Sequence, residues 1–215
     1  MLGCVLEHDT AAGLVAVELT EVEAYAGAVD PASHAFRGRT NRNAVMFGPP
    51  GHAYVYFTYG MHFCVNVTCQ PVGVPEAVLL RAGRVIAGEA LARSRRVRWR
   101  PGEIKTPGMN EAGDAVPATA MPVRDLARGP ARLCQALAID REQNGGDVCD
   151  PSSPLRLRPG DGGTRMAGER AIGVGPRVGV TAGADTAWRF WIANDPTVSV
   201  YRKSKPRARK QQDSR

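Results

Sequence analysis

The run Tyr54-Val-Tyr-Phe-Thr-Tyr-Gly-Met-His-Phe-Cys-Val-Asn66 constrains the fold more than any other stretch, because its aromatic residues suit pleated strands and its pattern breaks once, beside Gly60. It predicts two strands, 52–58 and 62–69, joined where glycine lets the backbone bend. Three of the chain's five tyrosines fall within six of these residues. Tyr54 and Tyr56 share one face of the first strand, whereas Tyr59 lies an odd three residues further on. Rings facing different ways suit a surface that handles flat ligands. An aromatic hairpin packed into a core explains the same pattern.

Around this hairpin the sequence reads as many short strands with few helices. Cys4-Val-Leu6, Leu14-Val-Ala-Val-Glu-Leu19 and Val22 suggest a hairpin leading into a third short strand, with His8 to Gly13 as the turn. Residues 26–51 are loop-like, and Thr40-Asn-Arg-Asn43 can cap one short helix. A strand is expected at 76–82 and a helix over 88–96. Pro130 heads a second helix, 129–139, in which Leu133, Cys134 and Leu137 share a face. Later strands are expected at 154–158, 170–174, 176–180 and 187–192. Without a βαβ rhythm, the class is α+β: one domain over 1–201, with a curved, largely antiparallel β-sheet and a few packed helices. An irregular insertion spans about 97–125.

A chain of 215 residues, 43% hydrophobic, can bury the core of one domain without disulfide or metal. Five scattered cysteines, with no CxxC pair, read as reduced thiols, and Cys64 to Cys69 is too wide a spacing for a zinc knuckle. Neither a metal nor a cofactor is expected. No apolar run reaches the length of a membrane span, so the expected place is the cytoplasm, with the nucleoid if the source is prokaryotic. Net charge is +7, and the segment 202–215 carries seven basic residues against Asp213 alone. That composition predicts a disordered tail attracted to polyanions. A second cluster, Arg93 to Arg100, places five arginines in eight residues and adds to the expectation of nucleic acid as partner.

Glu23 and Tyr25 lie two apart at the end of a strand and therefore project on one face. His34 follows nine residues later, and Arg81 closes the strand Ala77-Val-Leu-Leu-Arg81. Alone, each is ordinary. In order, Glu21-Val-Glu-Ala-Tyr25, His34, Asn41-Arg-Asn43, Met46-Phe47, Tyr54-Val-Tyr56, Tyr59-Gly-Met61, Phe63-Cys64 and Asn66 resemble the alkyladenine (3-methyladenine) DNA glycosylases. Leu79-Leu-Arg-Ala82, Gly129-Pro130, Arg177-Val-Gly179 and Val198-Ser-Val200 extend the resemblance over about residues 2–200.

The resemblance implies an enzyme of base-excision repair that acts on double-stranded DNA through the minor groove, as a monomer. It implies that Tyr59 inserts into the duplex, and that Tyr25, His34, Tyr56 and Asn66 build a pocket for the extruded purine. Extrusion costs a few kcal/mol of stacking and pairing, which an aromatic wedge offsets. Asn66 is implied to obstruct the exocyclic amine of guanine, although a strand asparagine bonded to backbone suits the same position. Hydrolysis at C1′ passes through an oxocarbenium-like sugar, so a carboxylate that activates water also stabilises charge. Glu23 is the candidate base, and Arg81 nearby would favour its ionised form. Arg42, Gly129 and Arg132 are candidate phosphate contacts. No lysine lies near these motifs, which argues against a Schiff-base lyase step.

Related sequences place a helix of the Ala-Arg-x-Leu-Leu-Gly kind before the equivalent of Met1-Leu-Gly-Cys-Val-Leu6, so the natural start is expected upstream. Two other readings remain: a damage-binding protein without catalysis, and a hydrolase of free nucleosides.

Overall fold

The computed structural model describes residues 1–98, 121–160 and 170–203. Its centre is strand β2 (Gly13–Tyr25), flanked by β1 (Val5–Thr10) and β5 (Ala77–Ala87). The path β3-β4-β5-β2-β1-β6 runs through β3 (Ala53–Thr58), β4 (His62–Thr68) and β6 (Leu155–Arg158), and every pairing is antiparallel. Strand β8 (Arg189–Ile192) joins the far end of β2 and carries β7 (Ile172–Gly175) at its other edge. One thirteen-residue strand thus replaces the expected hairpin arm plus third strand. It is long enough to pair with β1 over its first half and β8 over its last.

Two irregularities interrupt the β2–β5 ladder beside Glu21. Thr20 has no opposite number between the Leu19–Gly83 and Glu21–Ala82 pairs, and Arg81 has none between Glu21–Ala82 and Val22–Leu80. Each strand therefore carries one extra residue, the geometry of a bulge, which bends a sheet and re-aims side chains. Gly83 sits at the closest approach: a Cβ there would lie 2.4 Å from the Glu18 carbonyl oxygen.

Helix α1 (Glu89–Arg98) follows β5, and α2 (Pro130–Leu137) packs on β4 and β5. Pro130 occupies the first turn, where its missing N–H is no loss, and Ala138 closes the helix in the left-handed region. The expected face is buried, as Leu133, Cys134 and Leu137 join the main core with Leu6, Val17, Leu19, Val65 and Leu80. A smaller cluster of Ala35, Met46, Tyr54 and Ala77 lies on the other side of the β3–β4 hairpin.

Three expectations change. Residues 176–180 form no strand, because the chain leaves the sheet after Gly175 and crosses its end. The short helix expected near Thr40 is a 3-10 turn at Ala44–Phe47, preceded by reciprocal Thr40 and Asn43 side-chain bonds. Three arginines of α1, Arg93, Arg95 and Arg96, do not form a free basic face. Arg93 pairs with Glu89 at 2.9 Å, Arg95 bonds Thr10 and the Ala136 carbonyl, and Arg96 is buried against Gln135. They tie α1 to β1 and α2, and burial, with Arg132 nearby, pushes Arg96 down to about 10. The tail beyond residue 203 and most of the 97–125 insertion lie outside the described residues, of which 123–125 form a 3-10 turn.

Candidate active site

The end of β2 reaches a cavity of about 490 Å³, within the range of roughly 300–1,000 Å³ usual for small-molecule sites. Tyr25, His34, Tyr54, Tyr56, Asn66 and Arg81 line it, and Tyr59 stands at its mouth. Residues that lie far apart in sequence meet here because β3 and β4 bring the aromatic hairpin alongside the β2–β5 ladder.

Glu23 is fully buried behind this wall. Its Oε1 accepts from the Val178 N–H at 2.7 Å and lies 3.2 Å from Arg81 Nη1, while Oε2 accepts from the Tyr25 hydroxyl at 2.8 Å. Tyr25, Arg81 and Val178 line the cavity and Glu23 does not. Burial, reinforced by the Glu23 charge, pushes the Tyr25 hydroxyl far above its ordinary range, so it remains a donor.

Arg81 is the bulged residue of β5, which is why it can face both carboxylates on β2. Its Nε donates to Glu21 at 2.8 Å, its Nη1 meets Glu23, and its Nη2 donates to Ser199 Oγ at 3.4 Å. Glu21 also accepts from Arg189 Nε at 2.7 Å. Sequence alternation put Glu21 on the face of Glu23 but gave it no part.

On the aromatic wall, the Tyr54 and Tyr56 rings stack at 5.5 Å, and His34 meets Tyr56 edge-on at 4.5 Å. His34 Nδ1 and the Tyr54 hydroxyl lie 3.0 Å apart, so Tyr54 is both core residue and cavity wall. Burial, and then the Arg42 charge, lower the pKa of His34, which favours neutral imidazole. Asn66 donates from Nδ2 to the Tyr54 carbonyl at 3.2 Å while lining the cavity.

Tyr59 is 82% exposed, the most exposed large hydrophobic residue described, and has a φ of 53°. With Gly60 at 67° and a Met61 N–H to Thr58 carbonyl bond, the tip has two successive residues in the left-handed region. Such a turn matches the twist of a hairpin but is strained for tyrosine. Arg42 is exposed beside it, donating to the Phe57 carbonyl at 3.1 Å with its guanidinium 5.9 Å from the Tyr56 ring. Gly129 and Arg132 sit at the start of α2, where Pro130 touches the cavity and Arg132 lies 3.9 Å from Asp125.

The 176–182 segment closes one side of the cavity, and sequence reasoning assigned it no role. Arg177, 1% exposed, donates to both oxygens of Asp30 at 2.5 and 2.8 Å and to the Ala24 carbonyl at 3.0 Å. Its guanidinium lies 4.6 Å from the Tyr25 ring and 5.2 Å from that of Trp188. This arginine anchors the segment whose next residue, Val178, binds Glu23.

The sequence matches the methylpurine-DNA glycosylase (MPG) family model over residues 1–196. The chain belongs to the methylpurine-DNA glycosylase family. Its relatives include a Streptomyces avermitilis protein, 49% identical over 212 residues, covering 98% of this chain and 88% of that one. A Nocardia farcinica protein is 47% identical over 201 residues, 91% of this chain and 82% of its own. A Mycobacterium tuberculosis protein is 46% identical over 191 residues, 86% and 80% respectively. All three carry the name "Putative 3-methyladenine DNA glycosylase". No described helix is long and apolar enough to cross a membrane, and no described group of His, Cys, Asp and Glu could hold a metal ion.

Proposed function

We propose that this protein is a monofunctional DNA glycosylase that extrudes alkylated or deaminated purines of the 3-methyladenine type from duplex DNA and hydrolyses the N-glycosidic bond. The observation that carries the reading is a buried carboxylate, Glu23, held by Arg81 and Tyr25 at the wall of an aromatic cavity large enough for a purine. The names of the relatives support the substrate class.

In this reading Tyr59 enters the minor groove and fills the gap left by the extruded nucleotide, while Tyr25, His34 and Tyr56 surround the base. Electron-poor alkylated purines stack on aromatic rings more favourably than normal bases. Asn66 restricts the guanine amine. Glu23 takes a proton from water and stabilises the charge that develops on the sugar. Because its carboxylate has no exposed surface, this role requires Tyr25 or the Val178 segment to yield when the base enters. Arg81 fixes the water and the nucleotide backbone; Arg42, Gly129 and Arg132 receive phosphates. Among the described residues, the cavity lining includes no lysine, in keeping with hydrolysis without a Schiff base.

The test is release of free base from methylated duplex DNA, which leaves an abasic site. A Glu23→Gln variant that excises 3-methyladenine at the parent rate excludes the mechanism. Excision that does not weaken with salt favours a hydrolase of free nucleosides, since each phosphate contact contributes a log-log slope of roughly −0.9.

A further inference from the structure

We propose that Glu21 and Ser199 are positioning residues for Arg81, with residues 197–201 forming a strap that fixes the third edge of its guanidinium. The inference rests on the function proposed above. It begins with a difference between two carboxylates that share one face of β2. Both are fully buried, but Glu23 bonds the cavity-lining Tyr25 and Val178, whereas Glu21 bonds Arg189 and Ser199, which do not line the cavity.

Four donors converge on Glu21. Arg81 Nε and Arg189 Nε approach Oε1 at 2.8 and 2.7 Å, the Ser199 hydroxyl donates to Oε1 at 2.8 Å, and the Ser199 N–H donates to Oε2 at 2.6 Å. Burial opposes its charge, yet Arg81, the Ser199 N–H and Arg189 together hold the carboxyl below its ordinary value. The strap is pinned just before Ser199 and at its own carbonyl. Thr197 and Thr20, the bulged residue of β2, bond through their hydroxyls at 2.7 Å. Arg128 holds the Val198 carbonyl, and Arg189 holds that of Ser199.

The consequence falls on Arg81. A guanidinium facing one carboxylate tends to pair with it bidentately, fork to fork. That arrangement would spend the Glu23 oxygens on the cation and leave less of the carboxylate for water. Here Glu21 takes Nε and the Ser199 hydroxyl accepts from Nη2, so only Nη1 meets Glu23. The remaining N–H groups of Nη1 and Nη2 are available to the cavity that Arg81 lines. Glu21 and Ser199 thus keep Arg81 from closing over the base.

The experiment compares parent, Ser199→Ala and Ser199→Thr in two readouts. In nitrogen-15 NMR of the arginine side chains, the parent should show distinct Nη1 and Nη2 protons for Arg81, because both ends are held. Ser199→Ala should average them and Ser199→Thr should restore them. In single-turnover base release, Ser199→Ala should be slower by about three- to tenfold, the scale of one hydrogen bond, with affinity for lesion DNA unchanged. Ser199→Ala should add nothing further in an Arg81→Ala background. Unaveraged Arg81 signals together with a parent-like rate in Ser199→Ala would overturn the inference. Should the parent release no base, the functional reading falls, and the NMR comparison alone decides whether Ser199 holds Arg81.

Discussion

The cavity has a floor and a rim, and they are built by opposite rules. At the floor, Glu21, Glu23, Asp30, Arg81, Arg177 and Arg189 are six charged groups almost out of water, each engaged by an opposite charge. At the rim, Tyr59 is exposed on a left-handed turn and Arg42 reaches into solvent. Buried charges are costly unless paired, so the floor resists any change that removes one partner. On the proposed function, a wedge at the tip would meet a deformable partner, so strain and exposure there are tolerable. That reading gives chemistry to the strands and DNA handling to the hairpin tip.

This contrast breaks most visibly at Glu23. Glu23→Gln preserves shape and should slow single-turnover excision by about 10²–10⁴, while lesion-DNA affinity stays near the parent value. A rate loss matched by a loss of affinity would show that floor and rim are not separate. Asp30→Ala comes next: it strands buried Arg177, so chemical denaturation should report a loss of about 3–5 kcal/mol. It should also slow excision, since the Val178 N–H loses its anchor. Tyr59→Ala is expected to leave thermal stability unchanged. It should weaken binding to lesion duplexes by about ten- to a hundredfold, the worth of stacking one ring on bases; an equal loss on single-stranded DNA would refute insertion into the helix.

The smallest effect concerns protons. His8, buried on β1 with Nδ1–H donating to the Leu137 carbonyl at 2.7 Å, is held below its ordinary 6.5, chiefly by burial and further by Arg95. The unfolded chain therefore binds a proton that the folded chain resists, and stability is lost as pH falls below about 6.5. One proton limits the slope to about 1.4 kcal/mol per pH unit. Denaturation midpoints measured from pH 7 to 5 should fall less steeply in His8→Gln. His34, lowered in the same direction by burial and then by Arg42, should account for part of the slope that remains in His8→Gln.

Much of the rim was legible in the sequence. The Tyr54 to Asn66 run announced its own hairpin, and Tyr59 beside Gly60 marked the tip. The floor was legible only in part. Spacing put Glu23 and Tyr25 on one face, and the family resemblance singled them out with Arg81, but Glu21 looked like an ordinary polar residue of an alternating strand. Its burial depends on Arg189 and Ser199, nearly 180 residues away, and on a bulge that leaves no local signal. The pairing of Arg177 with Asp30 was invisible for the same reason, since pairing across such distances is a property of the packed sheet. The arginines of α1 misled in the other direction. Composition counted their charge and could not see that Thr10, Gln135 and the Ala136 carbonyl would absorb it.

The extra residue in β5 makes strand length itself a functional quantity. Removing Arg81 outright, rather than replacing it, would let Leu80 and Ala82 follow one another along β2, but it would also take the cation from buried Glu23 and from one side of Glu21. The shortened chain should lose stability together with excision. In this sheet the residue that breaks the ladder is the one that lets two neighbouring carboxylates stay charged out of water, so strand length and charge balance are set at a single position.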